Sequence, residues 1–215
     1  VKRKYKAIIF DLDGVICHTD KYHYLAWKKL ADDIGIYFDE KINNRLRGIG
    51  RMQSLEILLG NQSSRFSADD KQKMAERKNN YYQGYLNQMG PSDLEGEVLS
   101  TLKIIRESKL KMAIGSSSKN TPLILKQLGL EDFFDAVSDG NNITHPKPDP
   151  EVFIAASLLI NEKPNHCIVV EDAVSGVQAA FAAGMDCAAM GDAAKHKIAT
   201  YDLSGFSDIL SIISI

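Results

Sequence analysis

The sequence predicts an α/β protein: a parallel sheet covered by helices on both faces, interrupted near its start by an all-helical insertion. Two observations carry this. Short apolar runs alternate with amphipathic stretches of ten or more residues, the rhythm of βαβ units. From residue 18 to about residue 89 that rhythm stops, and three helical patterns follow one another with no strand-like run between them.

Each element follows from its residues. KAIIF (6–10) is a short continuous apolar run, as expected of a strand buried on both faces. KYHYLAWKKLADDI, KINNRLRGIGRMQSLEILLG and SADDKQKMAERKNNYYQGYLNQM read as helices and form the insertion. GPSDLEGEVLSTLKIIRES returns the chain to the core, and KMAIGS (111–116), DAVSD (135–139), CIVVED (167–172) and DCAAMG (186–191) supply the remaining strands. Helices are expected after Thr121-Pro122, from Glu151, and over AVSGVQAAFAAG; the tail DILSIISI is a final helix or strand packed on the core. The domain reading is a core of residues 1–17 and 90–215, with a cap of residues 18–89.

Bulk properties exclude several functions. In a chain of 215 residues, 26 basic and 28 acidic side chains leave a net charge of −2, which advertises neither nucleic acid nor an anionic membrane as partner. Cys17, Cys167 and Cys187 are odd in number and lack metal-ligand spacing, which suits buried thiols in a reducing compartment. VKRKYK is followed by only four apolar residues, too few for the core of a signal peptide. A cytoplasmic monomer is the expectation.

Ligands of open parallel sheets sit beyond the carboxyl ends of the strands. The first strand ends in Asp11-Leu12-Asp13-Gly14, the second in Ser116-Ser117-Ser118-Lys119-Asn120 and the fourth in Glu171-Asp172, while Lys147 lies in the loop HPKPDP. Taken singly, each has a plain reading: an aspartate as turn or cap, a serine loop, a solvated lysine. Together they make a hard oxygen site for Mg²⁺ sharing its ligands with a phosphate. One aspartate can be phosphorylated while its neighbour moves a proton.

In this order the segments FDLDGV (10–15), IGSSSK (114–119), KPDPEVF with Lys147, and VVEDAVSGVQAA (169–180) resemble the haloacid dehalogenase-like superfamily of aspartate-dependent phosphotransferases. The resemblance spans essentially the whole chain. It implies a Rossmann-like core and an aspartyl phosphate on Asp11, with acid/base action by Asp13. It further implies Mg²⁺ held by Asp11, the Asp13 carbonyl and Asp172, with Glu171 beside them. Ser116, Ser117 and Lys147 would hold the phosphate in transfer.

The cap stretches TDKYHYLAWKKLADDIGI (19–36), RLRGIGRMQSLEILL (45–59) and ERKNNYY (76–82), with SSSKN (116–120), are similar to a sugar-phosphomutase branch of that superfamily. On residues alone, His23 and Trp27 are a packed i, i+4 stripe, Arg51 a helix-start charge and Lys78 a surface lysine. The resemblance instead implies that Thr19 is a hinge, that His23 contacts the acid/base aspartate, and that Trp27, Arg47, Gly48 and Lys78 serve the sugar. Arg51, with Ser118, Lys119 and Asn120, would grip the phosphate distal to the one transferred. Two residues depart from the branch pattern: Arg47 stands where lysine is usual, and His18 where aspartate is common.

The activity so implied interconverts β-D-glucose 1-phosphate and glucose 6-phosphate through β-glucose 1,6-bisphosphate. The rival is a Mg²⁺-dependent sugar-phosphate phosphatase on the same core. A catalytically idle binding module would need no acid/base aspartate.

Overall fold

The computed structural model describes residues 4–46 and 49–214. Six parallel strands form one sheet: β1 (Ala7–Phe10), β2 (Lys111–Gly115), β3 (Ala136–Ser138), β4 (Cys167–Glu171), β5 (Asp186–Ala189) and β6 (Tyr201–Asp202). Their order is β3-β2-β1-β4-β5-β6. The chain winds outward from β1 to β3, then returns to lay β4 on the other side of β1, which makes the β1–β4 boundary the switch point where such sheets open a crevice. Phe10 pairs with both Ile114 and Val170, so Asp11, Gly115 and Glu171 leave their strands at one level.

All four residues of β1 are fully buried, which is why its sequence is a continuous apolar run rather than an alternation. Helices α5 (Gly96–Glu107), α6 (Thr121–Gln127), α7 (Glu151–Leu159), α8 (Val174–Ala182), α9 (Gly191–Lys195) and α10 (Ile209–Ile212) belong with this sheet. Val152, Phe153 and Ala156 of α7 and Val177 and Ala180 of α8 pack with Ile9, Ala113 and Val169.

The chain divides into two compact units, one reaching up to His18 and resuming at Gly90, the other Thr19–Met89. His18, which the sequence set at the head of the cap, belongs with the core and lies 3.7 Å from Glu95. The cap holds α1 (Asp20–Asp33), α2 (Glu40–Asn44), α3 (Arg51–Leu59) and α4 (Ala68–Leu86), with no strand among its described residues. Trp27, Leu30, Leu55, Leu58, Leu59 and Met74 share its core. Ser67 and Asp70 form a reciprocal capping box that starts α4.

Two local expectations change, and the tail, expected as a helix or a strand, is decided. The stretch from Lys41 to Gly60 is two helices, with Gly50 capping the second; Arg47 and Gly48 lie outside the described residues. The tail forms helix α10, its Ile209 and Ile213 buried. A sixth strand, β6, is too short and polar to carry a periodic signal, yet Tyr201 pairs with Ala188 and its hydroxyl accepts from Tyr5. Among the described residues no helix is long and apolar enough to cross a membrane. All three cysteines are free and buried.

Candidate active site

The core site is assembled at the switch point. Asp11 is buried, and its N–H continues the sheet ladder to the Val170 carbonyl at 3.0 Å. Beyond it the chain turns tightly: Ile16 and Cys17 both donate to the Leu12 carbonyl, and Gly14 donates to that of Cys17. Gly14 has φ +97°, and a Cβ there would lie 2.1 Å from Asp172 Oδ2. Glycine at that position therefore lets the Asp172 carboxylate approach the backbone just after the half-buried Asp13.

Lys147 ties β1 to β4. Its Nζ donates to Asp11 Oδ1 and to Glu171 Oε1, each at 2.5 Å, and lies 4.6 Å from the centre of the Phe153 ring. Side-chain exposures of 8% for Lys147, 11% for Asp11 and 1% for Glu171 place these ion pairs in a weakly screening environment. The other Glu171 oxygen accepts from Ala173 N–H at 2.8 Å, at the start of α8. A Cβ on Gly176 would sit 1.8 Å from Glu171 Oε1, so α8 can take only glycine there while Glu171 holds Lys147.

These environments move the titrations. Burial raises the Asp11 pKa well above the carboxylate range, opposed by the Lys147 charge, which favours the ionised form. Asp172 is pushed up to about 7, by burial first and then by Glu171 and Asp13. Burial disfavours the Lys147 charge, but Asp11 and Glu171 outweigh it, so the ammonium persists above its ordinary range.

Ligand oxygens of Asp11, Glu171 and Asp172 lie within 4.8 Å of one another, a hard, anionic donor set that fits Mg²⁺. A second grouping, His145, Asp149 and Glu151, is a loop clamp instead. Glu151 accepts from the N–H groups of Thr144 and His145, and Asp149 caps the Glu151 N–H, which fixes the loop that carries Lys147.

A serine-rich loop follows β2. Ser116 is buried and its Oγ accepts from Ser118 N–H; Ser118 Oγ accepts from Asn120 N–H, and Thr121 Oγ1 donates to the Ser118 carbonyl. Ser117 Oγ accepts from Lys147 N–H at 3.2 Å, joining this loop to the lysine loop. Lys119 is exposed and Asn120 is buried as the N-cap residue of α6. The structure thus brings Asp11, Lys147, Glu171 and Asp172 into one site, with Ser117 bonded to its lysine loop.

The cap carries a second cluster. Lys78 is not a surface lysine: it is 3% exposed, its Nζ 2.8 Å from His23 Nδ1 and between the rings of Trp27 (4.8 Å) and Tyr82 (4.7 Å). His23 is held well below its ordinary pKa by burial and then by the charges of Lys78 and Arg51. Arg51 opens α3, half-buried, where the helix dipole is unfavourable to a cation, and donates to the neutral Asn79 Oδ1 at 2.9 Å. Thr19 is fully buried and takes a hydrogen bond from the Tyr82 hydroxyl.

Sequence reasoning missed Asn79, Tyr82, Glu151, Phe153 and Gly176. Only Tyr82 had a usable signal, its i+4 spacing from Lys78; the others matter through partners distant in sequence.

A family model described as haloacid dehalogenase-like hydrolase matches residues 5–184. The chain is 39% identical over 188 residues to the β-phosphoglucomutase of Bacillus subtilis, covering 86% of this chain and 83% of that protein. It is 28% identical over 184 residues to a phosphorylated carbohydrates phosphatase of Thermotoga maritima, with 84% and 82% covered. The crystal structure of a β-phosphoglucomutase from Clostridium difficile superposes with a TM-score of 0.87 at 36% identity, over 98% of this chain and 97% of that one.

Proposed function

Because the chain belongs to the haloacid dehalogenase-like hydrolase family, we propose that it transfers phosphoryl groups through Asp11 and interconverts β-D-glucose 1-phosphate and glucose 6-phosphate by way of β-glucose 1,6-bisphosphate. The observation that carries a mutase over a hydrolase is the cap cluster. A buried lysine on a neutral histidine, beside a half-buried arginine facing a neutral partner, suits a sugar bearing a second phosphate. Hydrolysis of a monophosphate needs only the core.

On this reading the phosphorylated Asp11 gives its phosphoryl group to the 6-hydroxyl of glucose 1-phosphate, and Asp13 accepts the hydroxyl proton. The bisphosphate then turns round. Asp11 attacks the phosphorus at C1, the phosphorus–oxygen bond to the sugar breaks, and Asp13 returns the proton to the leaving oxygen. Lys147 favours the ionised form of Asp11 and offsets charge on the phosphoryl oxygens, which Ser116 and the Ser117 amide help to hold. Mg²⁺ at Asp11, the Asp13 carbonyl and Asp172, with Glu171 adjacent, would neutralise the same oxygens as a Lewis acid. Arg51, Ser118, Lys119 and Asn120 are assigned to the distal phosphate; His23, Trp27 and Lys78, with Arg47 and Gly48, to the sugar; and Thr19 to the hinge.

A sugar-phosphate phosphatase is the second reading, favoured by the phosphatase relative at 28% identity. Supplying β-glucose 1-phosphate, Mg²⁺ and a trace of the bisphosphate, and following glucose 6-phosphate and inorganic phosphate separately, distinguishes the two. The mutase gives glucose 6-phosphate with little phosphate release; the reverse ratio sinks it. Asp11→Asn abolishes either activity, since an amide is a far poorer nucleophile.

A further inference from the structure

We propose that Tyr82 is the positioning residue of the cap cluster, clamping the first turn of α1 so that the His23 imidazole keeps Nδ1 on Lys78 and carries its hydrogen on Nε2. This rests on the reading above only for its catalytic consequence.

The clamp has two arms on one buried side chain. Tyr82 is 1% exposed and lies four residues after Lys78, on the same face of α4. Its hydroxyl donates to Thr19 Oγ1 at 2.8 Å. Thr19 is the N-cap residue of α1, and its carbonyl accepts from the N–H groups of Tyr22 (2.9 Å) and His23 (3.1 Å). The Tyr82 ring stacks on the His23 imidazole, with centroids 4.0 Å apart and planes 26° from parallel. One residue thus fixes both the backbone turn from which His23 projects and the plane of its ring.

The tautomer follows from donor chemistry. An ammonium has three donors and no acceptor, so Lys78 Nζ at 2.8 Å from Nδ1 must donate, and Nδ1 must be unprotonated. A neutral imidazole then carries its hydrogen on Nε2. Burial and the charges of Lys78 and Arg51 disfavour the imidazolium, in keeping with this. The Tyr82 ring also faces the ammonium, so its loss loosens both members of the pair.

The test compares the full chain with Tyr82→Phe and Tyr82→Leu. Imidazole nitrogen and carbon NMR signals of His23 are read at neutral pH, assigned through His23→Asn. The parent shows a single Nε2–H tautomer. Tyr82→Phe keeps the stack but loses the Thr19 anchor; its His23 signals shift, and kcat on β-glucose 1-phosphate falls roughly tenfold. Tyr82→Leu loses the stack, shows mixed tautomers and loses about 100-fold in kcat, the scale of a displacement near 1 Å in a positioned group. Parent-like spectra in Tyr82→Phe overturn the clamp, including the case where Tyr82→Leu fails to fold. If the parent converts no sugar phosphate while its His23 spectrum still depends on Tyr82, the functional reading fails and the clamp stands.

Discussion

Replacing Lys147 with methionine keeps most of the apolar stem and removes one charge from between two carboxylates. In the parent its ammonium lies 2.5 Å from both Asp11 and Glu171, and all three side chains are nearly buried. Deleting one partner of a buried ion pair leaves an uncompensated charge and costs about 3–5 kcal/mol. For a chain of this size that corresponds to roughly 6–20 °C in Tm. The sign with pH is fixed. Without Lys147 the folded pKa of Asp11, already raised by burial, rises further above its unfolded value, so its penalty is absent below about pH 4 and grows as pH rises toward the folded value. The variant should therefore be close to the parent near pH 4–5 and fall furthest behind at pH 8. Thermal unfolding by circular dichroism, in chelator at pH 5 and at pH 8, measures this. Equal Tm values at pH 8, or a larger loss at pH 5, would refute the reasoning that Lys147 is a buried counter-charge.

Three further outcomes follow from the same geometry. Gly176→Ala forces a Cβ onto the Glu171 carboxylate at 1.8 Å and should cost about 1–3 kcal/mol in a denaturant titration while lowering kcat through the displaced Lys147. Gly84→Ala, in the last turn of α4 with nothing within 4 Å of its added Cβ, should instead stabilise by up to about 1 kcal/mol; a loss there would mean that α4 is not a regular helix at that point. On the proposed function Asp172 ligates Mg²⁺ only when ionised, and burial pushes its pKa up to about 7, so Mg²⁺ affinity measured by calorimetry should fall by up to about tenfold per pH unit below 7. A flat affinity from pH 6 to 8 would remove Asp172 from the metal site.

The local signals were those that depend on neighbours along the chain. Apolar runs ending in Asp11, Ser116 and Glu171-Asp172 marked three strand ends, because a strand buried on both faces needs an uninterrupted run and its polar stop is then conspicuous. The alternation of strands and helices, and its interruption by a helical cap, were legible for the same reason. Tertiary structure decided what depends on burial and on partners far away in sequence. Lys78 reads as one more charge on a basic helix, and only packing between Trp27 and Tyr82 turns it into a buried donor to His23. Gly14 and Gly176 look like turn or helix glycines until Asp172 and Glu171 are seen to occupy the space of their missing Cβ atoms. Lys147 sits between prolines as a loop charge until the β1–β4 neighbourhood, a product of strand order, brings Asp11 and Glu171 to it. Sequence spacing encodes periodicity and chain ends of elements; long-range electrostatics and steric clearance exist only once the sheet has been assembled.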